Sequence, residues 1–166
     1  MRQIGRPFLF LFLALLGACS RDTQTVHTEA QGTAAVLSGD AKGAAADNPR
    51  CRLFTTAEVA NYLGEAVAAG RNAAMGAGCQ WQARDGGGHV IVSIAPSNYH
   101  APPSAVEGFK ELTDVGTRGY VAPESKGWTA GAITGSSTVV VTVEGTAATE
   151  ANTVALLKAA MQRHAS

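Results

Sequence analysis

The chain has 166 residues, 46% of them hydrophobic but only 6% aromatic, and its 13 Lys/Arg are balanced by 13 Asp/Glu. A neutral chain with no basic stripe lacks the electrostatic footprint of a nucleic-acid binder. Its glycines and four histidines do not fall into the spacing of a phosphate loop, a dinucleotide fingerprint or an H-E-x-x-H zinc site.

Arg2 and Arg6 flank the start of a run of apolar residues from Phe8 to Leu16. A bilayer span needs about 20 residues, so this shorter run predicts the core of a signal peptide over residues 1–18. Leu16-Gly17-Ala18-Cys19 follows it. Charged start, short apolar core and small-small-Cys together resemble the bacterial lipobox. That resemblance implies acylation of Cys19 with three fatty chains, and two or more chains anchor a protein stably. Ser20, rather than Asp, follows the cysteine, which resembles the pattern for sorting to the outer membrane. The implied address is the cell envelope, in the inner leaflet of the outer membrane and facing the periplasm.

Residues 19–49 read as a lipidated flexible tether. Val26, Val36 and Leu37 are its only sizeable apolar side chains and it has no aromatics, too little to offset the entropy of ordering. As a coil it would span roughly 30 Å. His27 lies here without neighbours that complete a usual metal-ligand set, so it reads as a solvated linker residue.

Residues 50–166 read as one globular domain, with nine Lys/Arg against nine Asp/Glu. Thr55 and Glu58 have the spacing of a capping box, Phe54 and Val59 that of a hydrophobic staple, and Val59, Tyr62 and Leu63 share a helical face. Gly64 stands where a glycine ends a helix. A short strand is expected around residues 66–69. Cys79, Trp81 and Ala83 then alternate with Gln80, Gln82 and Arg84, the Asp85–Gly88 run supplies a reversal, and Val90, Val92 and Ile94 form a second alternating stripe: a hairpin with one buried face.

With Cys19 assigned to lipid, Cys51 and Cys79 remain in an exported, oxidising setting, where a disulfide is the default. It would close a loop of about 29 residues and contribute on the order of 3.5 kcal/mol in loop-closure terms.

Ser97 to Pro103 reads as a turn-rich crossing. Ser104 and Glu107 form a second S-x-x-E box, predicting a helix with Val106, Phe109 and Leu112 on one face. Strands are expected over 115–121, 128–134 and 138–144, the last two joined at Gly135-Ser136-Ser137. A final helix is expected over 150–163, with Val154, Leu157 and Met161 as its apolar stripe. The predicted order is α-β-β-α-β-β-β-α. This is an α+β fold, with an antiparallel sheet of about five strands and helices packed on one face.

Cys51, the start Thr56-Ala57-Glu58-Val59, Leu63-Gly64 and Cys79-x-Trp81, with the β-rich run after them, resemble an uncharacterised group of secreted bacterial lipoproteins that pair these motifs. The resemblance covers most of residues 50–166. It implies a fold and a compartment, and no chemistry.

Function is read from the same residues. No G-x-S-x-G nucleophile elbow accompanies the domain histidines His89, His100 and His164, and the two domain cysteines are expected to be oxidised. A non-enzymatic role without cofactor or metal is therefore expected: a membrane-anchored lipoprotein that binds an envelope or periplasmic protein. Alternatives are an immunity-type inhibitor of a periplasmic toxin, and a carrier of a small apolar ligand in a cavity lined by Trp81, Phe109 and Trp128. The candidate binding surface is Tyr99, His100, Pro102 and Pro103, where an aromatic ring and two prolines share a loop.

Overall fold

A computed structural model describes residues 45–165. The signal peptide, the lipidation at Cys19 and the tether up to residue 44, all expectations from sequence, lie outside the described residues. The fold reaches slightly further back than residue 50. Asn48 is buried, and its side-chain amide donates to Asn72 Oδ1 at 2.8 Å and to the Gly78 carbonyl at 2.9 Å.

Among the described residues the first α-helix, α1 (Thr56–Leu63), is built as its local chemistry requires. Thr55 caps it, and the Glu58 carboxylate accepts from the Thr55 N–H at 2.8 Å. Gly64, at φ 81°, donates its N–H to Ala60 and ends the helix in the left-handed conformation that glycine adopts without strain. Phe54, Val59 and Leu63 enter the core.

Seven strands follow: β1 (Arg71–Ala73), β2 (Gly78–Gln82), β3 (His89–Pro96), β4 (Lys110–Leu112), β5 (Thr117–Glu124), β6 (Gly127–Thr134) and β7 (Ser137–Glu144). They form one antiparallel sheet in the order β1-β2-β3-β7-β6-β5-β4. The chain ends in α2 (Glu150–His164), capped by Thr149, whose hydroxyl accepts from the Asn152 N–H.

The fold is thus α+β with an antiparallel sheet, and the helices pack on one of its faces. Among the described residues it has seven strands rather than five and two α-helices rather than three. The helix expected from Ser104 does not form. Gly108 sits at φ 84°, isolated turns replace helical hydrogen bonding, and Lys110–Leu112 pairs with β5 as an edge strand. An S-x-x-E box is a local signal, and a helix this short depends on packing, which the extended chain obtains instead by pairing with β5. The strand expected over 66–69 is displaced. Val67 makes a single bridge to Ala83, and the true partner of β2 is Arg71–Ala73.

The central pairing is β3 with β7, eight residue pairs that join the two hairpins into one sheet. Cross-strand partners share a face, so Trp81, Val90, Val143 and Trp128 form one row on the helix side. Cys79, Val92, Val141, Ala130 and Val121 form the next. Against these rows α2 buries Thr153, Leu156, Leu157 and Ala160. Its stripe is rotated from the expected one, with Val154 and Met161 at the margin. Cys51 and Cys79 are joined by a disulfide with a Cα–Cα separation of 5.0 Å, tying the approach to α1 onto β2.

Candidate binding surface

The face of the sheet away from the helices is covered at one end by the segment that crosses from β3 to β4. Its floor is the row Glu111, Tyr120, Gly131, Val140 and Ser93. Gly131 is required here. A Cβ at that position would lie 2.7 Å from Cε1 of Tyr120, so the ring lies directly over the glycine. Phe109, delivered by the crossing segment, stacks on Tyr120 with centroids 6.0 Å apart and planes at 22°. Burial pushes the Tyr120 phenol above its ordinary pKa.

His100 also packs against Tyr120, with ring centroids 5.7 Å apart. Its Nε2 is 3.0 Å from the Arg118 carbonyl and its Nδ1 is 2.8 Å from Thr138 Oγ1. A carbonyl oxygen only accepts, so Nε2 carries a hydrogen; in the neutral ring Nδ1 then accepts from the Thr138 hydroxyl. His100 is only 8% exposed. Of the four residues expected to form a binding surface, it is the one that supports the loop from beneath.

The other three lie further out. Tyr99 is 70% exposed at the end of a single 3-10 turn, while Pro102 and Pro103 are half-buried. Val106, on the same crossing, is also exposed. Met75 projects from a left-handed turn at the β1–β2 tip, where Ala74, Met75 and Gly76 all have positive φ. That tip and the Tyr99 turn lie at the same end of the sheet: Ile94, near the end of β3, donates its N–H to Ala77, and Ser97 donates to Ser136 in the β6–β7 turn.

Beside the crossing lies a groove of about 640 Å³, lined by Pro102, Phe109, Glu111, Arg118 and Tyr120 among others. Arg118 reaches it from a β-bulge, where Arg118 and Gly119 together oppose a single residue of β6. Arg118 is at φ 55°, a conformation that side-chain-bearing residues seldom adopt. Gly119 has no room for a Cβ, being pressed against the carbonyls of Val115 and Leu112. Neither the bulge nor the groove was visible in the sequence. The Gly116–Gly119 spacing was the one local hint that this strand is irregular.

The aromatic residues considered as a cavity lining do not converge. Trp81 and Trp128 lie on the helix side, Trp81 almost fully buried, and Phe109 lies on the opposite face. His89 faces Glu144 across the β3–β7 pair, with Nδ1 3.9 Å from the carboxylate, and His164 Nε2 is 3.1 Å from Ser137 Oγ. Among the described residues, no group of three or more His, Cys, Asp or Glu is placed to hold a metal ion. Comparison with family models, curated proteins and solved structures gives no match to this chain.

Proposed function

We propose that the chain is a membrane-anchored lipoprotein of the cell envelope whose globular domain acts as a non-catalytic protein-binding module. The lipobox-like Leu16–Cys19 and the tether would hold the domain near the inner leaflet of the outer membrane, facing the periplasm, where it samples partners at high effective concentration. The observation that carries the binding reading is Tyr99. In a chain so poor in aromatics, one ring is left 70% exposed on a loop held rigidly from below by His100. Val106 and Met75 add exposed apolar surface, and rigid exposed aromatics are the usual anchors of protein interfaces.

A carrier would enclose a cavity, and the separation of Phe109 from Trp81 and Trp128 by the sheet argues for the protein-binding reading instead. The sharper form is an immunity-type inhibitor that captures a toxin delivered to the periplasm.

The test is a pull-down from envelope extract with the mature chain carrying Cys19→Ser, followed by native mass spectrometry. A stoichiometric protein partner that Tyr99→Asp releases supports the proposal. A retained lipid or small molecule in its place, or nothing retained, overturns it.

A further inference from the structure

We infer that the groove between the crossing segment and β4 takes an extended peptide segment of the partner, added to the free edge of β4 and carrying an acidic side chain that meets Arg118. The inference rests on the protein-binding reading and names the chemistry of what is bound.

Four observations carry it. The first is the edge. Among the described residues β4 ends the sheet, and its three residues pair with β5 alone, so one row of its backbone N–H and C=O groups has no strand beside it. A lysine directed across an exposed edge is one of the ways proteins guard it. Lys110 does not serve that purpose, because its ammonium is engaged by Glu150 of α2, at 2.6 Å on the helix side.

The second is the groove itself. β4 itself lines it through Glu111 and Leu112, the stacked rings of Phe109 and Tyr120 are in its lining, and Pro102 makes it continuous with the Tyr99–Pro103 loop. A strand added to an edge uses its backbone for affinity and alternate side chains for specificity, so it needs a pocket of this kind next to the edge.

The third is charge. Arg118 is exposed, lines the groove, and belongs to none of the ion pairs among the described residues. Its guanidinium presents a planar fork that matches a carboxylate. Glu111, also lining the groove and likewise outside those ion pairs, disfavours a ligand that is acidic throughout and suits a single acidic group with a hydrogen-bond donor nearby.

The fourth is strain. Arg118 holds a positive φ that asparagine or glycine would adopt with less strain, and the bulge is held in place by His100 on the Arg118 carbonyl. Strained backbone maintained by its surroundings is concentrated at ligand clamps. Here its effect is to aim an arginine at the groove.

The experiment is selection of a phage-displayed library of random ten-residue peptides on the mature chain carrying Cys19→Ser. The selected peptides are then titrated against the same protein labelled for NMR. The expected result is enrichment of peptides with one Asp or Glu and no central proline, with amide shifts confined to residues 99–120. Arg118→Asn tolerates the left-handed backbone, so it should keep or raise the melting temperature while weakening these peptides by about tenfold or more. Lack of enrichment, enrichment of non-acidic or proline-centred peptides, binding insensitive to Arg118→Asn, or equal binding of free benzoate would each overturn the inference. An envelope partner captured equally well by the Arg118→Asn protein sinks this site and leaves the protein-binding reading standing. Capture of no partner sinks that reading itself.

Discussion

Glu58 and Arg163 lie 105 residues apart in the chain, and their side chains meet at 2.6 Å. The Glu58 carboxylate closes the capping box of α1, and Arg163, from the last turn of α2, reaches across to it. The same guanidinium donates to the Leu53 carbonyl and lies 4.4 Å from the centre of the Phe54 ring. One cation therefore pins the start of one helix to the end of the other.

This contact predicts a pH dependence. The Arg163 hydrogen bond, with the backbone bond from Thr55 next, lowers the Glu58 pKa from 4.5 to about 2. The folded value lies below the unfolded one, so the contribution is complete above pH 4.5 and is lost as pH falls toward 2. Both side chains are 39% exposed, which limits the net effect to about 0.5–1 kcal/mol. Glu58→Gln should lower the melting temperature by roughly 2–5 °C at pH 7. Circular-dichroism melts should show that gap closing between pH 4.5 and 2; a gap of constant size would contradict the assignment.

The Cys51–Cys79 bridge gives a second expectation. Replacing both cysteines by alanine should cost on the order of 3.5 kcal/mol and leave a folded domain, since the core is large enough to persist without the bridge. Non-reducing peptide mapping of exported protein should recover the two cysteine peptides joined. Two free thiols would remove the brace.

Gly131 and Tyr120 form a coupled pair. Gly131→Ala forces a methyl into the Tyr120 ring and should destabilise the domain by about 1–3 kcal/mol. In a Tyr120→Ala background the same change should cost almost nothing. A double-mutant cycle reads the coupling directly, and additive effects would mean that the ring does not occupy the glycine's space.

Adjacent residues in the crossing should behave oppositely. His100→Ala leaves the Thr138 hydroxyl and the Arg118 carbonyl without their partner and should cost about 1–3 kcal/mol. Tyr99→Ala removes an exposed ring and should stay within about 0.5 kcal/mol of the parent. Chemical denaturation of the two variants separates supporting residue from presenting residue.

For the anchor, Cys19→Ser should move the protein from the membrane fraction to the soluble fraction or leave it as uncleaved precursor. Unchanged fractionation and mass would remove the lipobox reading.

Local signals in the chain were legible where their side chains also found a core. The capping box at Thr55 formed because Phe54, Val59 and Leu63 all had somewhere to go. The alternations through Trp81 and through Val90, Val92 and Ile94 reported the buried face correctly because a strand's two-residue period ties sequence parity directly to side-chain direction. The cysteine pairing was legible for a simpler reason: with Cys19 assigned to lipid, two cysteines remained, and an exported setting would oxidise them.

What needed the tertiary structure is everything that depends on which distant segment lies alongside. The box at Ser104 has the same local spacing as the one at Thr55, but Lys110–Leu112 completes the sheet beside β5 instead. The short β1 was misplaced because three residues carry too little pattern to choose their own partner. The candidate binding surface follows the same logic. His100, Phe109 and Arg118 are scattered along the chain, and none announces the others. Pairing of β3 with β7 and the crossing to β4 bring them around Tyr120, and the bulge then turns Arg118 into the groove. Period and capping act over one or two turns of chain, whereas register between distant strands is settled by burial of the whole face at once.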